Sequence, residues 1–146
     1  MKKGIDYPGV TISFFCHDGE GNFVMSKRSQ NCRDEQGCWD IGAGGLDLDD
    51  SVEETLKKEI AEEYCTDIVE YEFLGYRDLF REHEGQKTHW IALDFKVLID
   101  KEKVANGEPH KFDEVKWFTY ETLPENIHSQ NPAFFETYYE KLFGNK

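Results

Sequence analysis

The stretch over residues 44–63, GGLDLDDSVEETLKKEIAEE, constrains the fold of this chain more than any other. It begins with glycines, continues through a run of aspartates and ends in a pattern typical of a helix. Ser51 and Glu54 have the spacing of a capping box, so Asp50 or Ser51 is the expected N-cap. We expect the helix to end near residues 64–66.

The carboxylates of this helix do not all face solvent. Glu59 and Glu63 are four residues apart, so they stack on one side of the helix. On a helical wheel these two glutamates fall inside or beside the apolar face, and Glu62 lies at its edge. That apolar face consists of four residues: Val52, Leu56, Ile60 and Tyr64.

A carboxylate that faces the protein is costly unless a partner neutralises it. The two lysines of the helix, Lys57 and Lys58, point away from the apolar face. A divalent cation is therefore the natural neutraliser, and oxygen ligands favour Mg²⁺ or Mn²⁺. Glycines at 42, 44 and 45 are predicted to form a tight turn that lets backbone approach a ligand closely.

The rest of the chain alternates between strand-like and turn-like segments. Turns are predicted at 17–22 and 81–87, a polar loop at 101–112, and a last helix from Pro132 to Leu142. A mixed sheet with two main helices predicts an α/β layered domain, and the length suits one domain over residues 1–146. The predicted strands are 9–15, 23–27, 39–41, 71–79, 88–98 and 115–119.

The composition excludes some partners. The net charge of −13 argues against a nucleic-acid duplex, because phosphate backbones bind basic surfaces. The sequence has no long apolar run and no hydrophobic N-terminal segment, so we expect no membrane span and a cytoplasmic location. The four cysteines lack a CxxC pair and are expected to be free thiols.

Residues 44–66 resemble the Nudix box, which reads glycine, five residues, glutamate, seven residues, then Arg-Glu-apolar-x-Glu-Glu-x-Gly-apolar. The segments FVMSKRS, WDIGAGG and DEVKWFTYETLP resemble further parts of the same family. The positions that match the box outright are Gly44, Glu59, Ile60, Glu62 and Glu63.

Four positions depart from the box: Asp50 replaces glutamate, Lys58 replaces arginine, Cys65 replaces glycine and Thr66 replaces an apolar residue. Lys58 keeps the positive charge without the bidentate fork of arginine. A cysteine does not easily adopt positive φ, so we expect the helix to end differently from one with a C-terminal glycine.

The resemblance implies an α/β/α sandwich with a mixed sheet. It also implies hydrolysis of a pyrophosphate linkage in a nucleoside di- or triphosphate derivative, by attack of water on phosphorus with Mg²⁺ or Mn²⁺. By the same resemblance the catalytic candidates are Glu62, Glu63 and Glu114. The implied metal ligands are Glu59, Glu62, Glu63 and a backbone carbonyl of Ala43 or Gly44.

The implied partner is a small nucleoside diphosphate derivative, and a homodimer is left open. Candidate substrate contacts are Arg28, Trp39, Asp40 and Arg77, while Lys27, Arg33 and Arg81 are further candidate phosphate contacts.

Two alternatives remain. The first is an enzyme similar to isopentenyl-diphosphate isomerase, because WDIGAGG also resembles that branch. Gly45, however, lies where that branch commonly carries histidine. The second is a non-catalytic sensor that binds a nucleotide, which the intact glutamates of the box argue against.

Overall fold

A computed structural model describes residues 1–144 of the chain. Seven strands and two α-helices make up most of the fold, and a π-helical turn over Glu140–Gly144 follows the second helix. The strands and helices are β1 (Gly9–His17), β2 (Phe23–Arg28), β3 (Trp39–Asp40), β4 (Gly42–Gly45), α1 (Val52–Tyr64), β5 (Ile68–His83), β6 (Gln86–Ile99), β7 (Phe112–Phe118) and α2 (Asn131–Thr137).

The strands form one mixed sheet whose central path runs β3-β2-β1-β6-β5. Strand β1 runs parallel to β6, from Gly9 opposite Trp90 to His17 opposite Leu98. Its other side pairs antiparallel with the glycine strand β4 and, at His17, with β2. Strand β7 pairs with β2, and β5 forms a long hairpin with β6.

One helix covers each face of the sheet, because alternate residues of β1 point to opposite sides. Ile12 and Phe14 pack under α1, whereas Phe15 packs with Phe134 and Phe135 of α2. The predicted α/β/α sandwich with a mixed sheet is confirmed. Among residues 1–144, no helix is long and apolar enough to cross a membrane. All four cysteines are free thiols, as expected.

The start of α1 follows the sequence prediction. The Ser51 hydroxyl accepts a hydrogen bond from the Glu54 amide at 3.1 Å, and the Glu54 carboxylate accepts one from the Ser51 amide at 2.8 Å. This reciprocal pair satisfies amides that the first helical turn leaves without partners. The helix therefore begins at Val52, directly after Ser51.

Helix α1 ends at Tyr64, within the predicted range, but the expectation that Cys65 would avoid positive φ was wrong. Cys65 adopts the left-handed conformation, with φ 61°, and its amide donates to the Ala61 carbonyl at 3.0 Å. The loop after β6 explains why this strained end persists. Its Ala105 amide donates to the Tyr64 carbonyl and its Gly107 amide to the Glu63 carbonyl, each at 3.0 Å, so a tertiary contact caps the helix.

The predicted glycine turn is instead the strand β4. A Cβ atom on Gly42 would lie 1.8 Å from the ring of Phe14, so only glycine lets this strand pair with β1. The predicted turn at 81–87 shrinks to Glu84 and Gly85, both with positive φ, which suits a two-residue hairpin. Strand β7 begins at Phe112 and helix α2 ends at Thr137.

Candidate active site

Three of the five glutamates of helix α1, those in its second half, lie at three different depths. Glu63 is only 1% exposed, Glu59 is half-buried and Glu62 is exposed. The inward direction of Glu59 and Glu63 that the wheel predicted is therefore confirmed. A solvated acidic face, the usual explanation of a glutamate run, therefore describes Glu62 but not Glu59 or Glu63.

Strand β4 meets the helix at the Glu59 carboxylate. A Cβ atom on Gly44 would lie 2.3 Å from Cδ of Glu59, so any side chain at residue 44 would displace this glutamate. The Gly44 carbonyl also accepts a hydrogen bond from the Thr11 hydroxyl at 3.1 Å. Close packing of backbone on carboxylate is thus the physical role of this glycine.

Glu63 is a buried acid with an incomplete set of partners. Its Oε1 has no hydrogen-bond partner within residues 1–144. Burial raises the pKa of Glu63 well above its usual value; Lys111 opposes this shift, and Glu59 and Glu108 add to it. Burial is the main cause that raises the pKa of Glu59, and the negative charge of Glu62 raises it further.

Sequence reasoning missed two residues of this site, Glu108 and Lys111. Both lie in the segment predicted only as a polar loop, and the Lys111 ammonium is 3.4 Å from Oε1 of Glu108. Burial disfavours the charged ammonium, but Glu63, Glu108 and Glu59 together raise the pKa of Lys111. In the sequence, the glycine at 107 was the sign that this loop could approach another segment closely. The structure shows this approach, because a Cβ atom on Gly107 would lie 2.0 Å from the Glu62 carbonyl.

Two neighbouring cavities adjoin this cluster. A cavity of about 50 Å³ has Glu63 and Lys111 in its wall. A second cavity of about 260 Å³ lies beside it, and its wall includes Trp90 and Leu79. Both are lined by Arg28, Asp40, Ile41 and Ala43.

All four arginines of the chain line the larger cavity, and we name it the arginine cavity. These arginines are Arg28, Arg33, Arg77 and Arg81. Every guanidinium of this strongly acidic protein is thus gathered in one place, where each also lies within 4 Å of a carboxylate.

The four guanidinium groups differ in how many of their N–H donors already bind neighbouring residues. Arg28 lies between Asp34, at 3.0 Å, and Asp40, at 3.7 Å. Arg81 donates to Glu35 at 2.7 Å. Arg33 has a side chain that is 77% exposed, with one long contact to Asp34 at 3.6 Å.

Arg77 is the most occupied of the four guanidinium groups. It holds Asp94 through two hydrogen bonds, at 2.7 and 3.0 Å. Its remaining contacts are to the Gln130 carbonyl, at 3.4 Å, and to the ring of Phe134. Arg77 therefore has fewer free donors for a ligand than Arg33.

Most of the predicted substrate residues come together at the arginine cavity. Arg28, Asp40 and Arg77 line it, and Asn131, an unpredicted residue, donates to Asp40 at 3.0 Å. Burial raises the pKa of Asp40, while His128, Asn131 and Arg28 oppose that shift. Trp39 is not brought to this cavity, because it is 7% exposed and packs against Phe118 in the core.

Glu114, the third predicted catalytic residue, lies on β7 opposite Lys27 of β2 and is exposed. The contacts found within residues 1–144 do not join it to the glutamates of α1. Glu108 is the acid of this region that reaches Lys111 and influences Glu59 and Glu63.

Two departures from the Nudix box pair with each other. The Lys58 ammonium donates to the Asp50 carboxylate at 2.9 Å and lies 3.6 Å from Asp47. This ion pair joins the segment before the helix to its second turn, on the exposed side. Glu59 and Glu63 point inward, away from this ion pair, whereas the exposed Glu62 is on the same side of the helix as Lys58.

The site suits a hard divalent cation by its chemistry. Within the described residues, no three His, Cys, Asp or Glu side chains form a ready-made metal-binding group. The buried Oε1 of Glu63 nevertheless lacks a hydrogen-bond partner within the described residues, and the small cavity beside it offers oxygen donors together with the Lys111 ammonium and the Arg28 guanidinium. Oxygen donors of this kind fit Mg²⁺ or Mn²⁺.

A comparison with protein families decides the class of this fold. The model of the NUDIX domain matches residues 7–138. The chain belongs to the Nudix family. The RNA pyrophosphohydrolase of Gluconacetobacter diazotrophicus is 29% identical over 119 residues, which cover 73% of this chain and 69% of that protein. The predicted enzyme class, a Nudix pyrophosphohydrolase, is confirmed.

Solved structures agree on the fold. The MutT Nudix hydrolase from Burkholderia pseudomallei superposes with a TM-score of 0.78 at 23% identity, covering 90% of this chain and 98% of that one. The Nudix domain of Shewanella oneidensis NrtR, solved with ADP-ribose, gives a TM-score of 0.73 at 17% identity, covering 97% of this chain and 90% of that one.

Proposed function

We propose that this Nudix pyrophosphohydrolase cleaves a pyrophosphate linkage in a small nucleoside di- or triphosphate derivative, with Mg²⁺ or Mn²⁺ as cofactor. One observation carries the proposal. A buried carboxylate that lacks a partner, Glu63, lies beside a cavity that gathers every arginine of the chain. A cation site and an anion site that share a wall suit a polyphosphate.

The metal ligands in this proposal are Glu59, Glu62 and Glu63, together with a backbone carbonyl of Ala43 or Gly44. Ala43 suits this role because it lines both cavities, whereas the Gly44 carbonyl already accepts the Thr11 hydroxyl. When bound, Mg²⁺ or Mn²⁺ would neutralise charge on the phosphates and make water a better nucleophile.

The residues of the chain would handle the proton. Glu62 is exposed at the edge of the site, so it can accept a proton from water and pass it to solvent. Glu63 is buried and would serve mainly as a ligand. Glu114 remains a second candidate base, provided that substrate binding brings β7 closer to the helix.

The arginine cavity would hold the anionic part of the substrate. Arg33 is proposed as the first contact, because its guanidinium is the most exposed of the four. Arg28 would follow, since it lines both cavities and can bridge between them. Arg77 would act mainly by fixing the wall of the cavity through Asp94.

The size of the cavity limits the substrate. Its volume of about 260 Å³ is at the lower end of small-molecule sites. The net charge of −13 repels long polyanions outside the cavity. A nucleotide derivative fits both constraints better than an extended nucleic acid.

The 5′ end of an RNA is a second candidate substrate. The curated relatives that match this chain, from Gluconacetobacter diazotrophicus and Teredinibacter turnerae, are named RNA pyrophosphohydrolases. The reaction would be the same, because a 5′-triphosphate also contains a pyrophosphate linkage. A single-stranded end would place few phosphates near the acidic surface.

A substrate panel tests the proposal. Purified protein with Mg²⁺ or Mn²⁺ is incubated with dNTPs, NDP-sugars, ADP-ribose, dinucleoside polyphosphates, NADH and a 5′-triphosphate RNA, and released phosphate, pyrophosphate and nucleotide are measured. We expect metal-dependent cleavage of one small nucleotide class, and none in EDTA. Cleavage of the RNA alone would favour the second candidate.

The same panel separates the two remaining alternatives. Nucleotide binding without any product would support a non-catalytic sensor. Conversion of isopentenyl diphosphate, added as a further sample, would support the isomerase-like enzyme. The variant Glu63→Gln is the matched control, since it removes one charge and keeps the shape of the side chain.

A further inference from the structure

Lys111 is the lysine that lines the small cavity together with Glu63. Its ammonium lies 3.4 Å from Glu108 and shares the wall of the small cavity with Glu63. The other lysines of this region, Lys57 and Lys58, bind exposed acids on the outer side of the helix. Lys111 therefore has a position that no other lysine of α1 or its loop occupies in the described structure.

The backbone holds Lys111 in this place from two directions. Its carbonyl accepts hydrogen bonds from the Ser29 amide at 2.9 Å and from the Cys32 thiol at 3.3 Å. Two positions upstream of Glu108, Asn106 donates to the Phe112 carbonyl at 2.9 Å and closes the loop around Lys111. These hydrogen bonds fix the backbone of Lys111 and so hold its side chain at the small cavity.

The same loop is tied to the residue that needs a cation. The Gly107 amide donates to the Glu63 carbonyl, and glycine is required there because a Cβ atom would strike the Glu62 carbonyl. Glu63 and Glu108 each carry a buried Oε1 without a hydrogen bond in the described part of the chain. The Lys111 ammonium pairs with the Glu108 oxygen at 3.4 Å and forms no ion pair with Glu63 among the described residues, although both line the small cavity, so the ionic cluster is incomplete.

We propose that Lys111 is a built-in counter-ion of the carboxylate cluster, which neutralises it before a divalent cation binds and which that cation has to outcompete. The physical reason is the cost of burying carboxylates without compensating charge. The ammonium reduces this cost in the metal-free protein, but it also repels an incoming cation. Lys111 would therefore stabilise the metal-free fold and weaken metal affinity. The inference rests on the metal site of the proposed function.

The variant Lys111→Met tests the counter-ion by isothermal titration with Mn²⁺ at fixed pH and ionic strength. We expect Mn²⁺ to bind roughly tenfold more tightly than to the wild type, because one repelling charge is removed at short range. Lys57→Met is the matched control, since it removes the same charge from the exposed side of the helix. Lys111→Arg keeps the charge and should bind Mn²⁺ like the wild type.

Thermal unfolding gives a second, independent readout. In EDTA, Lys111→Met should unfold about 2–4 °C below the wild type, a small shift because the Lys111 side chain is about half exposed and solvent screens its charge. With saturating Mn²⁺ the gap should close. Lys111→Gln repeats both measurements in case the methionine variant does not fold.

The outcomes separate the counter-ion from the metal site. If Lys111→Met and Lys57→Met bind Mn²⁺ equally, Lys111 is an ordinary surface lysine and the inference is overturned. Weaker binding by Lys111→Met overturns it as well. If the wild type binds no Mn²⁺ at all, the metal site of the proposed function fails together with the counter-ion.

Discussion

Two buried carboxylates on opposite sides of the sheet show how differently one fold treats the same chemical group. Asp94, toward α2, is 0% exposed, and Glu63, toward α1, is 1% exposed. Asp94 accepts two hydrogen bonds from Arg77 and a third from the Tyr138 hydroxyl at 2.7 Å. Glu63 keeps one oxygen without a hydrogen-bond partner among the described residues.

The number of hydrogen-bond partners distinguishes a buried carboxylate that stabilises the fold from one that is open to a ligand. A charge that is fully paired inside the protein supports structure, and removing one partner exposes the other to an uncompensated cost. A charge that is left open raises the free energy of the folded state until something binds it. Burial alone therefore does not identify a functional acid, and the list of its partners does.

The largest expected effect concerns activity at the open carboxylate. Glu63→Gln should lower turnover of the substrate found in the panel by about 10³–10⁵-fold, which corresponds to about 4–7 kcal/mol of activation free energy. Circular dichroism and thermal unfolding should show an intact fold. Near-full turnover in this variant would remove Glu63 from the proposed metal ligands.

The matched change at the paired carboxylate should act on stability instead. Asp94→Asn is the same loss of one charge, and it should lower the free energy of unfolding by about 3–5 kcal/mol, because Arg77 would remain buried without its partner. Urea unfolding of the two variants side by side measures this. If Glu63→Gln proves as destabilising as Asp94→Asn, the contrast between the two acids is wrong.

A smaller effect appears in the pH dependence of stability without metal. The folded-state pKa of Glu63 is raised, so the folded protein binds its proton more tightly than the unfolded chain does. The free energy of unfolding of the wild type should therefore begin to fall as the pH rises above about 4.5, the ordinary pKa of glutamate in the unfolded chain. It should stop falling once the pH exceeds the raised pKa of Glu63 in the folded state.

Glu63→Gln has no such proton, so in EDTA it should be more stable than the wild type at neutral pH. Near pH 4 the two proteins should have the same stability, because Glu63 is then protonated in both states. Urea unfolding at several pH values checks this. A constant difference at every pH would mean that the Glu63 charge is not the cause.

The smallest effect concerns the helix end that carries Glu63. Cys65→Gly should raise the free energy of unfolding by about 0.5–1 kcal/mol, because glycine adopts the left-handed conformation without the Cβ penalty. Turnover should stay the same, since the loop at Gly107 already fixes the Glu63 backbone. A change in turnover would show that the cysteine itself tunes the open carboxylate.

The sequence predicted those features that depend on neighbours within a few residues. The capping box at Ser51, the start of α1 and the inward direction of Glu63 follow from helical spacing alone. The family, the α/β/α sandwich and the enzyme class were also predictable, because the box preserves the spacing of its glutamates despite its substitutions. The roles of the individual site residues stay predictions.

Tertiary structure decided the features that depend on distant segments. The glycines of β4 form a strand because Phe14 and Glu59 occupy the space of their missing side chains. Cys65 keeps its left-handed backbone because a loop from beyond β6 caps the helix. Local propensity predicted a turn in one case and a different helix end in the other, and long-range packing overruled both.

The contrast between Asp94 and Glu63 also arises only in three dimensions. Asp94 is the one acid of its strand and Glu63 belongs to a run of glutamates, and in neither case does the sequence identify the residues that the carboxylate contacts. Arg77 reaches Asp94 because a hairpin aligns β5 with β6, whereas Lys111 reaches the Glu63 cavity through a loop. Helical and strand periods fix which way a side chain points, but chain topology determines which charge it meets.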